Sequence, residues 1–405
     1  MIDVSLPGRA PNSSSGSNPS DLFQIMRDGQ PRTRSELAGM TGLARSTVAL
    51  RIDALMKLAL LKPVSDAIST GGRPSTQFAL DPVGHSVLGV DVGASHVRVA
   101  ISDLTGKVLE ESGDELDIAA GPREVLDRVM RMGSELVASA GDRVGPLIAM
   151  GVGLPGPVEH STGRPINPPI MPGWDRYDVA GVLGAHFGVP VLVDNDVNIM
   201  ALGEGELAWP GVDDLIFVKI ATGIGAGVIS GGALQLGAQG TAGDLGHVYV
   251  ARGAGVRCRC GNEGCLEAIA SGSAVARLLS RDGATVSTSA DVVELVRQGD
   301  IDAIQAVRQA GRDLGEVLTT CVSLMNPSTI VLGGALSAAG EHLIAGVREA
   351  VYTRAMPFAT QHLEITKSRM GADAAIAGAG VLAIQSALSV ERIDAMVAAL
   401  GEDGD

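Results

Sequence analysis

Cysteine is scarce in this 405-residue chain, which contains four, and no stretch of eighteen residues is apolar without an interrupting charge, glycine or proline. So few cysteines do not make a disulfide framework, and a reducing compartment would leave them as thiolates that can bind metal. The missing apolar stretch argues against a membrane span. The start of the chain lacks a basic segment followed by an apolar core, so no secretory signal is predicted. We therefore expect a cytoplasmic protein that makes no membrane contact.

Charge is unevenly distributed along the chain, whose net charge is −15. Residues 21–80 carry eight lysines and arginines against five acidic residues, whereas residues 81–405 carry a net charge of −18. Because the chain is too long for one ordinary core, we expect a small basic domain ahead of a larger acidic region. A basic end is typical of nucleic-acid contact, although a solvated helical face would carry the same excess.

Residues 20–82 have the pattern of a helix-turn-helix domain, and the Ser- and Pro-rich residues 1–19 are predicted to be disordered. Thr33 and Glu36 have the spacing of a capping box at the start of one helix. The turn TGLA and the helical sequence RSTVALRIDALMKLALL follow, which is helix-turn-helix spacing. Two strand-like segments around a Gly-Gly-Arg-Pro tip would complete a winged module. A three-helix bundle with a plain linker is the alternative.

The second helix of this domain is the predicted recognition helix. Val48, Ile52 and Leu55 fall on one apolar stripe, which leaves a polar side for DNA. The helix would enter the major groove, and the tip of the wing would enter the adjacent minor groove. The predicted DNA contacts are Arg45, Ser46, Thr47 and Arg51 of the helix and Arg73 of the wing.

Residues 83–400 alternate strands with helices, which predicts an α/β domain. Two similar halves are expected, because DVGAS (91–95) and ATGIGAG (221–227) each follow a strand in a comparable place. Such glycine-rich turns let backbone amides approach phosphate oxygens in a cleft between lobes, although purely structural turns are the alternative. The candidate phosphate-contacting residues are Asp91, Gly93, Thr222, Gly223 and Gly225.

The sequence VLVDNDVN places Asp194, Asn195 and Asp196 at the end of an apolar strand. Ligands of open α/β sheets bind at the carboxyl ends of strands. For phosphoryl transfer to a sugar, one carboxylate would accept the hydroxyl proton while an amide fixes the substrate. The alternatives are that an aspartate only caps the next helix, or that the site binds a ligand without turnover.

Three of the four cysteines lie in CRCGNEGCLE (258–267), eleven or more residues after His247. The predicted ligands of a structural zinc ion are His247, Cys258, Cys260 and Cys265, since zinc favours four such ligands in a closed tetrahedron. Reduced cysteines without metal are the alternative. Closing this loop on zinc would bring Asp244 and Glu267 toward one place, where carboxylates suit the hydroxyls of a sugar.

Together these segments resemble the ROK family, named for repressors, open reading frames and kinases, over essentially residues 20–390. The matching motifs are DVGAS, GVGLPGPV (151–158), DND (194–196), the stretch 218–247 and CRCGNEGCLE. The resemblance implies a winged helix-turn-helix followed by a two-lobed α/β domain of the actin-like, sugar-kinase (ribonuclease H-like) fold. It also implies a dimer or tetramer.

The resemblance assigns roles to individual residues. Asn195, Asp196, Asp244, His247 and Glu267 would bind sugar, with one ring nitrogen of His247 on the sugar and the other on zinc. In a kinase that uses ATP and Mg²⁺, Asp196 would be the catalytic base.

The chain departs from the kinase pattern of the family at several positions. Asp244 stands where kinases usually have glutamate, Ala221 replaces a glycine, and residues 94–96 read Ala-Ser-His instead of the usual Gly-Thr-Lys. Each change weakens the geometry for ATP or sugar. Ala44 replaces the serine usual in the repressors, so the recognition helix loses an N-cap worth about 1 kcal/mol.

We therefore predict a sugar-responsive transcriptional regulator, a repressor that binds operator DNA as a dimer or higher homo-oligomer and responds to a sugar or sugar phosphate. Two alternatives stay open. One is an ATP-dependent hexose or amino-sugar kinase with a DNA-binding extension, and the other is a constitutive DNA-binding protein with an unused cleft. Because the departures affect ATP and sugar geometry, we expect no enzyme activity.

Overall fold

The structure is a computed structural model that describes residues 18–66, 76–168, 170–280 and 286–402. Its strands are β1 (Arg32–Thr33), β2 (Leu61–Asp66), β3 (Thr76–Leu80), β4 (Ser86–Val92), β5 (His96–Asp103), β6 (Val108–Glu115), β7 (Leu147–Leu154), β8 (Val158–Glu159), β9 (Arg164–Pro165), β10 (Val191–Asn195), β11 (Leu215–Ile220), β12 (Ile224–Ser230), β13 (Ala233–Leu234), β14 (Thr329–Gly333) and β15 (Glu364–Lys367). Its helices are α1 (Pro19–Met26), α2 (Arg34–Thr41), α3 (Arg45–Lys57), α4 (Pro122–Ala140), α5 (Val179–Phe187), α6 (Asp196–Gly203), α7 (Leu266–Ala270), α8 (Gly272–Leu279), α9 (Ser289–Arg297), α10 (Ile301–Met325), α11 (Glu341–Arg354), α12 (Pro357–Thr360), α13 (Ala374–Ala387) and α14 (Val390–Glu402). In this described part of the chain no single helix is long and apolar enough to cross a membrane, and only the bent pair Gly371–Ala387 and Val390–Leu400 meets that criterion in combination.

The chain forms two compact units built from discontinuous segments. The first unit contains the described residues up to Gly153, Asp178–Val193 and those from Ile376 onward, and the second contains Leu154–Tyr177 and Asp194–Ala375. The sheets have the strand orders β10-β7-β4-β5-β6 and β13-β12-β11-β14-β15. In each sheet the central strand, β4 or β11, is antiparallel to the next strand and parallel to a later one, β7 or β14. The predicted α/β class with two similar halves is confirmed.

Helix α13 lies close to the sheet of the first unit, because two strand positions carry no side chain. A Cβ atom added to Gly89 of β4 would lie 2.7 Å from the carbonyl oxygen of Ile376. One added to Gly151 of β7 would lie 2.0 Å from the carbonyl oxygen of Ala379. Any larger residue at either glycine would push the helix off the sheet. Leu88 on the other face of β4 lies against Gly133 of α4, so the strand is covered on both faces and is buried at every residue.

The N-terminal elements form a helix-turn-helix with a hairpin. The side chain of Thr33 accepts a hydrogen bond from the backbone N–H of Glu36, whose carboxylate in turn accepts from Thr33, so the predicted capping box is present. Gly42, at φ 72°, ends α2 and begins the turn into α3. The sheet has the order β1-β3-β2, in which β1 was not expected from the sequence. The tip of the hairpin, including Arg73, lies outside the described residues.

Helix α1 begins at Pro19 with Asn18 as its N-cap, so the last two residues of the segment predicted to be disordered belong to the start of this helix. This part of the prediction was wrong, because proline suits the first helical position and the backbone N–H of Asn18 bonds to the carboxylate of Asp21 at 3.3 Å. The other predicted members of that segment, residues 1–17, lie outside the described part of the chain.

The C-terminal helices complete the core of the helix-turn-helix elements. Leu22 and Phe23 of α1 share one apolar cluster with Leu388 and Ile393. Asp394 of α14 accepts hydrogen bonds from the Asn18 side chain at 2.9 Å and from the Ser20 backbone N–H at 3.3 Å. The domain boundary after residue 82 stays a prediction, but the first unit closes this core with residues from both ends of the described chain.

Candidate functional site

The DND turn is fixed by its middle residue. Asn195 is the N-cap of α6, because its Oδ1 accepts from the Val197 N–H at 2.9 Å. Its Nδ2 donates to the carbonyl oxygen of Gly156 at 2.7 Å and so holds the GVGLPGPV segment against the turn. The cap of α6 is therefore the asparagine and not either neighbouring aspartate.

Asp194 points into the protein. Its Oδ1 accepts from the Asn195 N–H at 2.6 Å and from Nδ2 of Asn198 at 2.8 Å. Burial raises the pKa of Asp194, while the bond from Asn198 lowers it. This carboxylate therefore holds the shape of the turn from its buried side.

Asp196, the first residue of α6, bonds to a lysine that the sequence analysis missed. Its Oδ2 accepts from Nζ of Lys219 at 2.5 Å. The Asp196 side chain is 8% exposed and that of Lys219 is 27% exposed. The signal that could have identified the lysine is its position as the single charge in the strand LIFVKI, directly before the turn ATGIG.

The start of β12 lies between α6 and Glu267. Oε2 of Glu267 accepts from the Ile224 N–H at 3.1 Å, and a Cβ atom added to Gly223 would lie 2.5 Å from the same oxygen. A Cβ atom added to Gly225 would lie 3.1 Å from Val197 of α6. Close packing therefore explains why glycine occupies both positions. A phosphate role for Thr222, Gly223 and Gly225 stays a prediction.

The turn that carries Asp244 and His247 packs on the same strand. The Ala226 N–H donates to the carbonyl oxygen of Gly243 at 2.8 Å, and Gly243 has φ +91°. A Cβ atom added there would lie 2.0 Å from the Ala226 carbonyl oxygen, so only glycine allows this approach. Asp244, His247 and Glu267 are thus all positioned by the first residues of β12.

The three cysteines and His247 form a cluster that can hold one metal ion. The four candidate ligand atoms all lie within 4.8 Å of one another. Sγ of Cys260 is 3.7 Å from Sγ of Cys265, and Sγ of Cys258 is 3.7 Å from Nδ1 of His247. Sulfur ligands at opposite ends of a tetrahedron edge around zinc are about 3.8 Å apart, so the donor set and spacing suit that ion. Nε2 of His247 points to Asp244, at 4.0 Å from its Oδ1.

Without a bound cation, the cysteine thiols differ in their pKa. Burial, together with the neighbouring thiols, raises the pKa of Cys265 to about 12. A hydrogen bond from the Asn262 backbone lowers the pKa of Cys260. A buried thiol with so high a pKa becomes a thiolate when a positive ion replaces its proton.

The loop that carries the three cysteines is anchored at a distance from them. Arg252 donates from Nε to Oδ1 and Oδ2 of Asp313 at 2.8 and 3.0 Å, and its second guanidinium nitrogen also contacts this carboxylate. The bonds to Asp313 raise the pKa of Arg252. Because Asp313 is a nearly fully buried residue of α10, this fork ties the loop to the longest helix described.

The histidine that follows the first glycine-rich turn, DVGAS, packs against that turn. Nε2 of His96 is 3.2 Å from Oδ2 of Asp91, a buried carboxylate. A Cβ atom added to Gly93 would lie 2.0 Å from Cε1 of His96, so the imidazole ring covers the face of this glycine. The phosphate role predicted for Asp91 and Gly93 is therefore opposed by a ring that occupies the approach to Gly93.

The exposed side of α3 differs from the prediction at one residue. Arg45 and Ser46 are exposed and Thr47 is half-buried. Arg51 is only 7% exposed, which opposes its predicted DNA contact. The reason is helical geometry, since Arg51 follows Val48 by three residues and lies on the same buried face. The neighbouring Leu50 lies on the outer side of the helix and is 72% exposed.

Ala44 occupies a cap position that its side chain cannot use. It has φ −61° and ψ 143°, the extended conformation of an N-cap, before the first residue of α3. Replacing Ala44 by serine should stabilise α3 by about 1 kcal/mol. The measurement is hydrogen exchange of α3, which should slow about fivefold. Ala49→Ser in the helix interior is the control, and equal slowing in both variants would contradict the assignment of the cap.

Comparison with known proteins identifies the family to which the chain belongs. The ROK family model matches residues 87–386. The xylose repressor of Bacillus spizizenii is 28% identical over 373 residues, which are 92% of this chain and 96% of that protein. A solved ROK family transcriptional regulator, a homologue of the E. coli MLC protein, has a TM-score of 0.81 at 25% identity and covers 94% of this chain and 98% of its own. A ROK glucokinase from Streptomyces griseus, solved with glucose and AMPPNP, has a TM-score of 0.64 at 27% identity, covering 74% of this chain and 99% of its own.

Proposed function

Since the chain belongs to the ROK family, we propose that it is a sugar-responsive transcriptional repressor that binds operator DNA as a dimer in the cytoplasm. The observation that carries this proposal is the extent of the matches. The xylose repressor covers 92% of the chain, whereas the glucokinase structure covers 74%. The family match begins at residue 87, after the helix-turn-helix elements, and a match over 92% of the chain must extend into those elements, whereas one over 74% need not.

The proposed effector site lies on the second unit, around the start of β12. Its sugar-binding residues would be Asn195, Asp196, Asp244, His247 and Glu267. We propose that the Cys₃His cluster holds a structural Zn²⁺ ion, which would fix the histidine ring through Nδ1 and leave Nε2 toward the sugar. The residues proposed to read DNA are Arg45, Ser46 and Thr47.

A sugar kinase is the second candidate, because Asp196 and the turn ATGIGAG survive. Two contacts oppose it. Lys219 holds one oxygen of Asp196, so the carboxylate is less able to accept a hydroxyl proton, and His96 covers Gly93 in the first turn. We expect ADP release from MgATP with glucose, mannose or N-acetylglucosamine to be no faster than for Asp196→Asn. A clear excess in the unmodified protein would reverse this ranking.

The repressor proposal is tested by linkage between sugar and DNA. The full chain would first select its own sites from a random DNA library, and a dimer should select inverted repeats centred about 10 base pairs apart. Anisotropy titrations with xylose, glucose, mannose and N-acetylglucosamine should then show one sugar that weakens DNA binding by about 5- to 150-fold.

Thermodynamic reciprocity supplies the control for this experiment. The selected DNA must weaken binding of the effective sugar by the same factor. DNA binding that no sugar alters, together with no sugar-induced thermal shift, would instead favour the constitutive DNA-binding protein.

A further inference from the structure

The Lys219 side chain lies where a ligand of the second unit would bind. We propose that Lys219 is a specificity-determining residue of the effector site, which with Asp196 reads one hydroxyl group of a neutral sugar. This inference rests on the proposed sugar site and adds a contact and a ligand class to it.

The position of Lys219 follows from the alternation of β11. Val218 and Ile220 face one core, and Phe217 faces another that contains residues of α6. Because side chains alternate across a strand, Lys219 points to the same side as Phe217, toward α6. This side chain is near the carboxyl end of β11, where α/β sheets bind their ligands.

The neighbouring strands carry glycine on both sides of Lys219. The register pairs Lys219 with Gly225 of β12 and with Gly333 of β14. A Cβ atom added to Gly225 would lie 3.1 Å from Val197, and one added to Gly333 would lie 2.3 Å from Phe217, so these apolar side chains occupy the space above the glycines. The ammonium group reaches Asp196 at the start of α6 and remains partly exposed.

The Lys219–Asp196 pair offers complementary groups to a hydroxyl. An ammonium group has three N–H donors, and this one is partly exposed, while a carboxylate only accepts. Because Lys219 bonds to Oδ2, Oδ1 of Asp196 is the oxygen that a sugar O–H would reach. The same hydroxyl oxygen can accept from the ammonium, so a single OH group satisfies both residues.

The charge of the pair indicates the class of ligand. Lysine and aspartate together carry no net charge, so the pair neither attracts an anion nor needs one. A site built to hydrogen-bond a hydroxyl rejects the analogue that lacks it, because the buried polar groups are then left without their partner. We therefore expect a neutral sugar and strong discrimination against one particular deoxy derivative.

The test is a calorimetric double-mutant cycle on the full chain. The probes are the neutral sugar that binds most tightly among xylose, glucose, mannose and N-acetylglucosamine, and its monodeoxy analogues. The unmodified protein should bind one analogue about 10- to 100-fold more weakly than the parent sugar. In Lys219→Met the parent should bind about 10-fold more weakly, and the penalty for that analogue should shrink to about threefold or less.

Matched variants separate a binding role from a structural one. Lys367→Met removes an exposed lysine at the end of β15 in the same sheet and should bind every sugar as the unmodified protein does. If Lys219→Met melts early because Asp196 loses its partner, Lys219→Gln carries the test, because its shorter, uncharged amide can bond to Asp196 but not also reach the hydroxyl, and the penalty for that analogue should shrink in the same way. Lys219→Arg should retain the preference for the parent sugar.

Three results would overturn the inference. Unchanged discrimination in folded Lys219→Met and Lys219→Gln would remove it while leaving the sugar-responsive repressor intact. Tighter binding of a sugar phosphate than of its neutral parent would remove the ligand class. If no sugar bound the unmodified protein at all, the inference and the proposed effector site would both be abandoned.

Discussion

Replacing Cys265 by serine is expected to abolish metal and sugar binding together. Cys265 is 1% exposed and is the N-cap of α7, two residues before Glu267. Loss of this ligand leaves three donors for a four-coordinate ion. The bound zinc measured by mass spectrometry should fall from about one per chain to near zero. Sugar affinity should fall about 100-fold or more, because His247 and Glu267 lose the loop that orients them.

The chain offers an internal control for this variant. Cys321 lies in α10, outside the cluster, so Cys321→Ser should retain zinc and sugar affinity. Full zinc content in Cys265→Ser, or sugar binding that survives removal of the metal, would exclude a metal-supported effector site.

Metal retention should also decrease as the pH is lowered. Ion binding requires the thiolate form of Cys265, whose pKa without the ion is raised to about 12. Protons therefore compete with the ion, and lowering the pH favours the protonated, metal-free cluster. Zinc transfer to a chromophoric chelator should become more complete as the pH falls from about 7.5 to about 5.5. The same pH dependence in Cys321→Ser would confirm that the Cys321 thiol takes no part in binding the ion.

The second large effect is expected at the DNA interface, where two arginines of α3 should behave differently. Arg45→Ala should weaken binding to the selected DNA by about 10- to 100-fold and leave the melting temperature unchanged, because this side chain is exposed and is proposed to contact DNA. If Arg45 contacts a phosphate, the slope of the logarithm of the binding constant against the logarithm of the salt concentration should also become shallower by about one. Anisotropy at several salt concentrations measures both quantities.

Arg51→Ala should instead act through stability. The side chain is buried and engaged within the protein, so its loss leaves polar partners unsatisfied and lowers the free energy of unfolding by about 1–3 kcal/mol. Undiminished DNA binding by Arg45→Ala would remove α3 as the recognition helix. A stable Arg51→Ala protein with weakened DNA binding would instead support the predicted contact of Arg51 with DNA.

The parts of the site that could be predicted depend on local spacing. Cys258, Cys260 and Cys265 lie within eight residues, so a short loop is sufficient to bring their sulfur atoms together. The capping box at Thr33 and Glu36 is local in the same sense. In such cases the chain between the residues is too short for the fold to separate them.

The missed features depend on contacts that packing creates. Lys219 meets Asp196 only because β11 packs beside α6, twenty-three residues away along the chain. The sequence shows both residues but not that pairing. The charge of Arg51 indicated the DNA side of α3, whereas its three-residue spacing from Val48 puts the side chain on the buried face. His96 was noted as a departure from the family, but that its ring covers Gly93 required coordinates.

The helix-turn-helix elements leave the ribosome well before Asp394 and Ile393, which close their core. We expect a chain that still lacks α14 to remain off DNA, so that DNA binding is gained only late in synthesis. Ribosome-arrested chains that stop before α14 should fail to retain the selected DNA, whereas chains in which α14 is followed by a linker long enough to clear the ribosome tunnel should capture it. The same dependence would let a protease that trims α14 switch off the DNA-binding elements.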